Sequence, residues 1–158
     1  MSVSPQSPLG VVQAVLSASE ERNADAYLVH YLENAVMRRA DGVVLAGKDA
    51  IARNFADYVA SGRTRHVDIL DSLSLIRDDT ALVCTRYRMT FTGGAPSEPI
   101  HGTSHDVLER QEDGSWLLSI DHPYEPSVPR DGERPSRRAE LDDAQEQQGR
   151  KSSGTYER

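Results

Sequence analysis

Behind Ser7-Pro8, an N-cap followed by a first-turn proline, Val11, Val12, Val15 and Leu16 recur at helical spacing. They predict a helix over residues 8–22. Asn23-Ala24-Asp25 can cap a short second helix that runs to Tyr31 and turns Leu28 and Tyr31, or Tyr27 and Tyr31, inward. Val36 to Arg39 reads as a short strand, Asp41-Gly42 as a turn, and Val43 to Leu45 as the returning arm of a small hairpin closed by Gly47. Asp49 opens an amphipathic helix with Ile51, Phe55, Tyr58 and Val59 on related faces, and Ser61-Gly62 stops it.

The period then changes to two. Strands are predicted over His66–Ile76, Ala81–Thr92, Pro99–Gln111 and Ser115–Asp121, separated by Asp78-Asp79, Gly93-Gly94-Ala95-Pro96 and Glu112-Asp113-Gly114. One face of the second of these carries Ala81, Val83, Thr85, Tyr87, Met89 and Phe91. In the last, Trp116, Leu118 and Ile120 fall on one side by strict alternation. Helices first and an antiparallel meander after them indicate an α+β fold, with the helices on one face of a curved sheet.

Composition divides the chain. Hydrophobic residues make up 37% of its 158 positions, and Pro126 to Arg158 holds Val128 and Leu141 as its only aliphatic side chains larger than Ala. That segment, with seven basic and seven acidic residues, cannot bury enough apolar surface to offset its ordering entropy. It reads as a disordered charged tail, in which residues 137–148 could form a helix on a partner. The expected domain is therefore residues 1–125, whose 11 basic and 18 acidic residues argue against a nucleic-acid surface. The single cysteine, Cys84, excludes an internal disulfide and fits a reducing compartment. Met1 to Gly10 lacks the basic and apolar regions of a signal peptide, and no apolar run approaches a membrane span. A cytoplasmic protein is expected.

Several segments, in their order and spacing, look familiar. Tyr31-Leu-Glu-Asn-Ala-Val36, Asp41-Gly42, Leu45-Ala-Gly-Lys-Asp-Ala-Ile51 and Glu112-Asp-Gly-Ser-Trp-Leu-Leu-Ser-Ile-Asp-His122 resemble the nuclear transport factor 2-like superfamily, in its SnoaL-like polyketide cyclase and ketosteroid isomerase branches. The resemblance spans Leu9 to Tyr124 and implies a cone with a cavity between sheet and helices, and a homodimer built on the sheet's outer face. Ketosteroid isomerases use an aspartate base and an oxyanion hole of tyrosine and protonated aspartic acid. The resemblance puts the base position at Arg39, which cannot abstract a proton. The tyrosine position falls at Val15 or Leu16, and the third position keeps its type at Asp106.

The chemistry in view starts from Asp106. Facing an apolar cavity, it would have a raised pKa and could act as a general acid or hydrogen-bond donor; facing solvent, it could pair with Arg86 or Arg88. Arg39 could clamp a carboxylate or enolate oxygen or pair with Asp106, or stand as an exposed charge beside Arg38. His101 and His105 share a strand face about 13 Å apart, too far to hold one metal ion, so no metal site is expected. His105 and His122 are possible auxiliary proton carriers. Asp121 and His122, adjacent on a strand, point to opposite faces, and one of them is expected to line the entrance. Tyr31 and Tyr87 are possible pocket contacts, alongside purely structural roles for them, Tyr27 and Tyr58. Trp116 belongs to the core. Neither a phosphate-cradling glycine loop nor a serine nucleophile elbow is present.

These features point to an apolar-pocket protein. The leading reading is a cofactor-independent acid/base enzyme, a cyclase, isomerase or dehydratase acting on a polyketide-like carbonyl compound. In it Asp106 is acid or base, Arg39 the clamp, and Tyr31, Tyr87 and Asp121 bind substrate. The alternatives are a non-catalytic module for a small ligand and a homodimeric assembly module.

Overall fold

The computed structural model describes residues 7–124, so the expected tail lies outside the described residues. Helix α1 (Pro8–Glu20) begins where Ser7 caps it, its side chain accepting the Gly10 N–H at 3.1 Å. Helix α2 (Ala24–Leu28) is capped in the same way by Asn23, bonded to the Ala26 N–H at 3.1 Å. The second helix ends earlier than its pattern suggests. Tyr31 belongs instead to strand β1 (Tyr31–Arg38), which is longer than the predicted Val36–Arg39 because it pairs with the last strand. Strand β2 (Val44–Ala46) returns along β1, and helix α3 (Lys48–Ala60) follows.

The meander consists of β3 (Thr64–Arg77), β4 (Thr80–Thr92), β5 (Ile100–Arg110) and β6 (Trp116–Asp121). Six strands form one curved, open sheet in the order β2-β1-β6-β5-β4-β3. All neighbours are antiparallel except β1 and β6. The fold is thus mixed α+β, as its pattern indicates. The core fills the side of the sheet that faces the helices. Val11, Val12 and Val15 of α1, Tyr27 of α2 and Ile51 and Phe55 of α3 pack against Tyr31, Met37, Val83, Leu108, Trp116 and Leu118. The alternation of β4 is as predicted, with Ala81, Val83, Thr85, Tyr87 and Met89 all buried.

On β6 strict alternation fails. Leu108 pairs with Leu118 but Val107 pairs with Ile120, so Ser119 is an extra residue on β6. Such a bulge reverses which side chains face inward beyond it. Ile120, expected beside Trp116 and Leu118, is 46% exposed, and Asp121 turns into the protein at 8%. A second irregularity, between Ile69 and Asp71 on β3, turns Leu73 and Leu75 onto the outer face opposite Cys84 and Leu82. No helix among the described residues is long and apolar enough to cross a membrane.

Candidate active site

Between the helices and the sheet lies a cavity of about 250 Å³. Its wall is mostly apolar, with Val12, Val15, Leu16, Phe55, Met89 and Leu118 among the contributors. The positions aligned with the isomerase site, Val15 or Leu16, Arg39 and Asp106, all line this one space.

Two carboxyl groups enter it side by side. Asp106 on β5 and Asp121 on β6 flank the Val107–Ile120 pair, so they occupy adjoining positions on neighbouring strands. Asp106 is 4% exposed, which removes the solvent-facing alternative; Arg86 sits 3.7 Å from Asp71 instead. The Asp106 carboxylate accepts the Ser104 hydroxyl at 2.9 Å and the His122 backbone N–H at 3.2 Å. Thr85 lies 2.8 Å from Ser104 and extends this polar line across β4. Burial, and then the charge of Asp121, push Asp106 up to about 8 from 3.8, against the opposing effect of its two donors.

Asp121 is raised by burial too, but it has stronger support for its charge. Tyr31 donates to it at 2.5 Å, and the charges of Arg65 and His122 also favour the anion. Two like charges in so dry a site do not coexist cheaply, so at neutral pH the pair holds one proton. The donor from Tyr31 and the cation of Arg65 place the negative charge on Asp121 and leave the proton on Asp106. Tyr31 also lies 2.9 Å from the Tyr27 hydroxyl. With its single proton committed to Asp121, Tyr31 receives one from Tyr27.

The remaining candidates separate clearly. Tyr87 lines the cavity and donates to the Pro123 carbonyl at 2.7 Å; burial pushes its phenol up to about 12. Tyr31 is 1% exposed and lies behind the cavity wall, so it positions Asp121 rather than touching a ligand. Arg39 reaches the cavity only at its rim, where its half-exposed guanidinium pairs with Asp41 at 2.8 Å. His105 alternates with the buried Ser104 and Asp106 and therefore faces away from the cavity. The rings of His105 and His122 lie 6.4 Å apart, and neither residue lines the cavity; only the backbone N–H of His122 serves the site. Among the described residues no His, Cys, Asp or Glu cluster could hold a metal ion.

The sequence reading passed over Arg65. It shares the inward face of β3 with Val67, and both line the cavity. Its Nη2 donates to Ser19 at 2.6 Å and its Nη1 to the Tyr124 hydroxyl at 3.2 Å, while the guanidinium lies 4.9 Å from the Tyr58 ring centre. The alternation of Arg65 with His66 and of Val67 with Asp68 carries this signal, but the charged run from Arg63 to His66 resembles a solvated strand start.

Known proteins bear on this arrangement in two ways. No curated protein matches the chain. Solved structures share its fold. A candidate dehydratase of the NTF2-like family from Streptomyces avermitilis superposes with a TM-score of 0.65 at 18% identity, over 75% of this chain and 93% of the other. ActVI-ORFA from Streptomyces coelicolor gives 0.61 at 18% identity over 72% and 91%. A candidate ketosteroid isomerase from Shewanella frigidimarina gives 0.61 at 20% over 71% and 89%. The SnoaL-like domain family matches residues 12–118, the stretch that supplies both walls of the cavity and Asp106, and the chain belongs to that family.

Proposed function

We propose that this protein is a cofactor-independent acid/base enzyme that moves protons on a small apolar carbonyl compound. One observation carries the reading: two buried carboxyl groups, Asp106 and Asp121, share one apolar cavity in environments that separate their affinities for a proton. The ionised Asp121 removes a proton from the carbon next to a carbonyl. The protonated Asp106 donates a hydrogen bond to the carbonyl oxygen as it gains negative charge. From the resulting enol, return of the proton at another carbon isomerises the substrate. Loss of a β-hydroxyl as water dehydrates it, and attack on a second carbonyl closes a ring. A polyketide-like substrate offers all three outcomes. Neighbours in the fold include a candidate dehydratase and a candidate isomerase, which fits this range of reactions.

Hydrogen–deuterium exchange tests the shared first step. A bicyclic ketone such as tetralone is incubated with the protein in deuterium oxide and its α-position followed by NMR. Accelerated exchange that disappears in both Asp121→Asn and Asp106→Asn supports the reading. Ligand binding without exchange favours a carrier or sensor instead.

We also infer a homodimer. Leu73, Leu75 and Ile120 on the outer face of the sheet are 55%, 56% and 46% exposed, a row of apolar side chains that a second copy would cover. Sedimentation velocity checks it, with a monomer at micromolar concentration as the contrary result.

A further inference from the structure

The Arg65 corner of the cavity is built from a guanidinium and hydroxyl groups, with no carboxylate of the described residues among its hydrogen-bond partners. The guanidinium contacts two acceptors, and both are hydroxyl groups. After accepting from Arg65, Ser19 Oγ and Tyr124 Oη each keep a proton of their own to donate. The third nitrogen, Nε, is buried and finds no acceptor among the described residues. No carboxylate of the described residues forms a salt bridge with Arg65, in contrast to Arg39, which Asp41 neutralises. The Tyr58 hydroxyl beside them is already spent, donating to the Ser19 carbonyl and accepting the Arg65 backbone N–H.

A half-buried cation whose hydrogen-bond partners are hydroxyl groups, and which meets the Asp121 charge only beyond salt-bridge distance, leaves a position for an anionic oxygen beside it. All three residues, Ser19, Arg65 and Tyr124, line the same cavity as the two aspartates. We infer that this corner binds an anionic oxygen on the ligand, with Arg65, Tyr124 and Ser19 as its three donors. The ligand is then an apolar ring compound carrying a carboxylate or an acidic enol, held at its charged end by Arg65 and presented to Asp106 and Asp121 at the other. Arg65 thus takes the clamping role that the family alignment offers to Arg39. The inference rests on the cavity being a ligand site, as proposed above, but not on any catalysis in it.

Matched probes test it by calorimetry on the purified full chain. Naphthalene carboxylate is compared with naphthalene carboxamide, and dimedone, an acidic cyclic diketone, with a saturated cyclic ketone. Charge-assisted hydrogen bonds should favour at least one anion over its neutral partner by about tenfold or more. Preference for the carboxylate alone or for dimedone alone identifies which anion the site takes. Arg65→Met should abolish the preference while neutral-probe affinity and circular dichroism stay near wild type, and Arg65→Lys should restore part of it. Equal wild-type affinities within both pairs overturn the inference, as does a preference that survives in Arg65→Met. Neutral probes that bind without anion preference reject the Arg65 site but leave the pocket reading standing; failure of all four probes rejects both. The wild-type comparison alone decides the matter if Arg65→Met does not fold, and Tyr124→Phe then checks the donor set.

Discussion

Tyr31 at the head of β1 donates to Asp121 at the end of β6 across 2.5 Å, and the two residues lie 90 positions apart in the chain. The bond fixes the orientation of one carboxyl group and biases the shared proton toward the other. Tyr31→Phe removes the donor and leaves a buried carboxylate oxygen short of a partner, at a cost of about 1–3 kcal/mol. Because the lost bond favours the anion, the Asp121 pKa rises. The acid limb of the pH–rate profile should move to higher pH, and guanidinium melts should show the lost stability. A profile unchanged in position would show that Tyr31 serves packing alone.

Asp106→Asn should separate activity from stability. The folded pKa of Asp106, about 8, lies above its ordinary 3.8. Between those values the unfolded chain releases the proton and the native state keeps it. The native state binds more protons there, so this residue's contribution to stability declines as pH rises from about 4 to about 8 and levels off above. Asparagine has no proton to release. The variant should lose that pH dependence and gain stability at neutral pH relative to wild type, while exchange activity falls by about a hundredfold or more. Melting curves at several pH values check the sign. A variant less stable than wild type at pH 8 would contradict the assignment of the proton to Asp106.

Wild-type activity should decline above about pH 8 as Asp106 ionises and ceases to donate. The same ionisation places a second negative charge in the cavity. Affinity for an anionic ligand should therefore fall over the same range, with affinity for a neutral ligand changing less. Titrations at fixed ionic strength across this range check both.

Gly102 lies beneath the Tyr87 phenol. A Cβ there would stand 2.5 Å from the Tyr87 hydroxyl and 2.6 Å from its Cζ. Gly102→Ala should push the ring off its bond to the Pro123 carbonyl and reshape the wall that Tyr87 and Pro123 share, at a cost of about 1–3 kcal/mol. Weakened ligand binding in Gly102→Ala, with a smaller effect in Tyr87→Phe, is the expected pattern.

Deleting Ser119 tests the bulge. With the extra residue gone, strict alternation runs on from the inward Leu118 and still sets Ile120 outward and Asp121 inward opposite Asp106. Asp106 then keeps its neighbouring charge, so its raised pKa should persist by NMR titration and activity should be retained. An Asp106 pKa that falls toward the ordinary value, with activity lost, would show that β6 needs the extra residue to place Asp121.

The legible parts of the site are those where local pattern and tertiary structure agree. The inward face of β4 and the placement of Asp106 follow from alternation, because the long β4–β5 ladder keeps its register through Thr80–Glu109 to Met89–Ile100. Asp121 was legible as a pocket residue only through its place at the strand end. Its partnership with Asp106 depends on an extra residue at Ser119, and nothing in Ser-Trp-Leu-Leu-Ser-Ile-Asp marks where a bulge falls. Tyr31 looked like a pocket contact, but the pairing of β1 with β6 sets it behind the wall. Arg65 was hidden by its neighbours, since a cation inside a charged run looks like surface until the helices that cover it are in place.

The one parallel pairing in the sheet also governs how the molecule is made. β1 is synthesised early and β6 last of the described strands, so their ladder closes the longest loop of any strand pairing in the sheet, and such contacts form slowly. Until that closure, Asp121 has no phenol to receive and both carboxyl groups remain hydrated with ordinary acidity. The dry, singly protonated pair therefore comes into being only as the final seam of the sheet is sealed. Conditions that keep these aspartates ionised should slow that sealing, which makes the chemistry of the pocket and the kinetics of its assembly two readings of one proton.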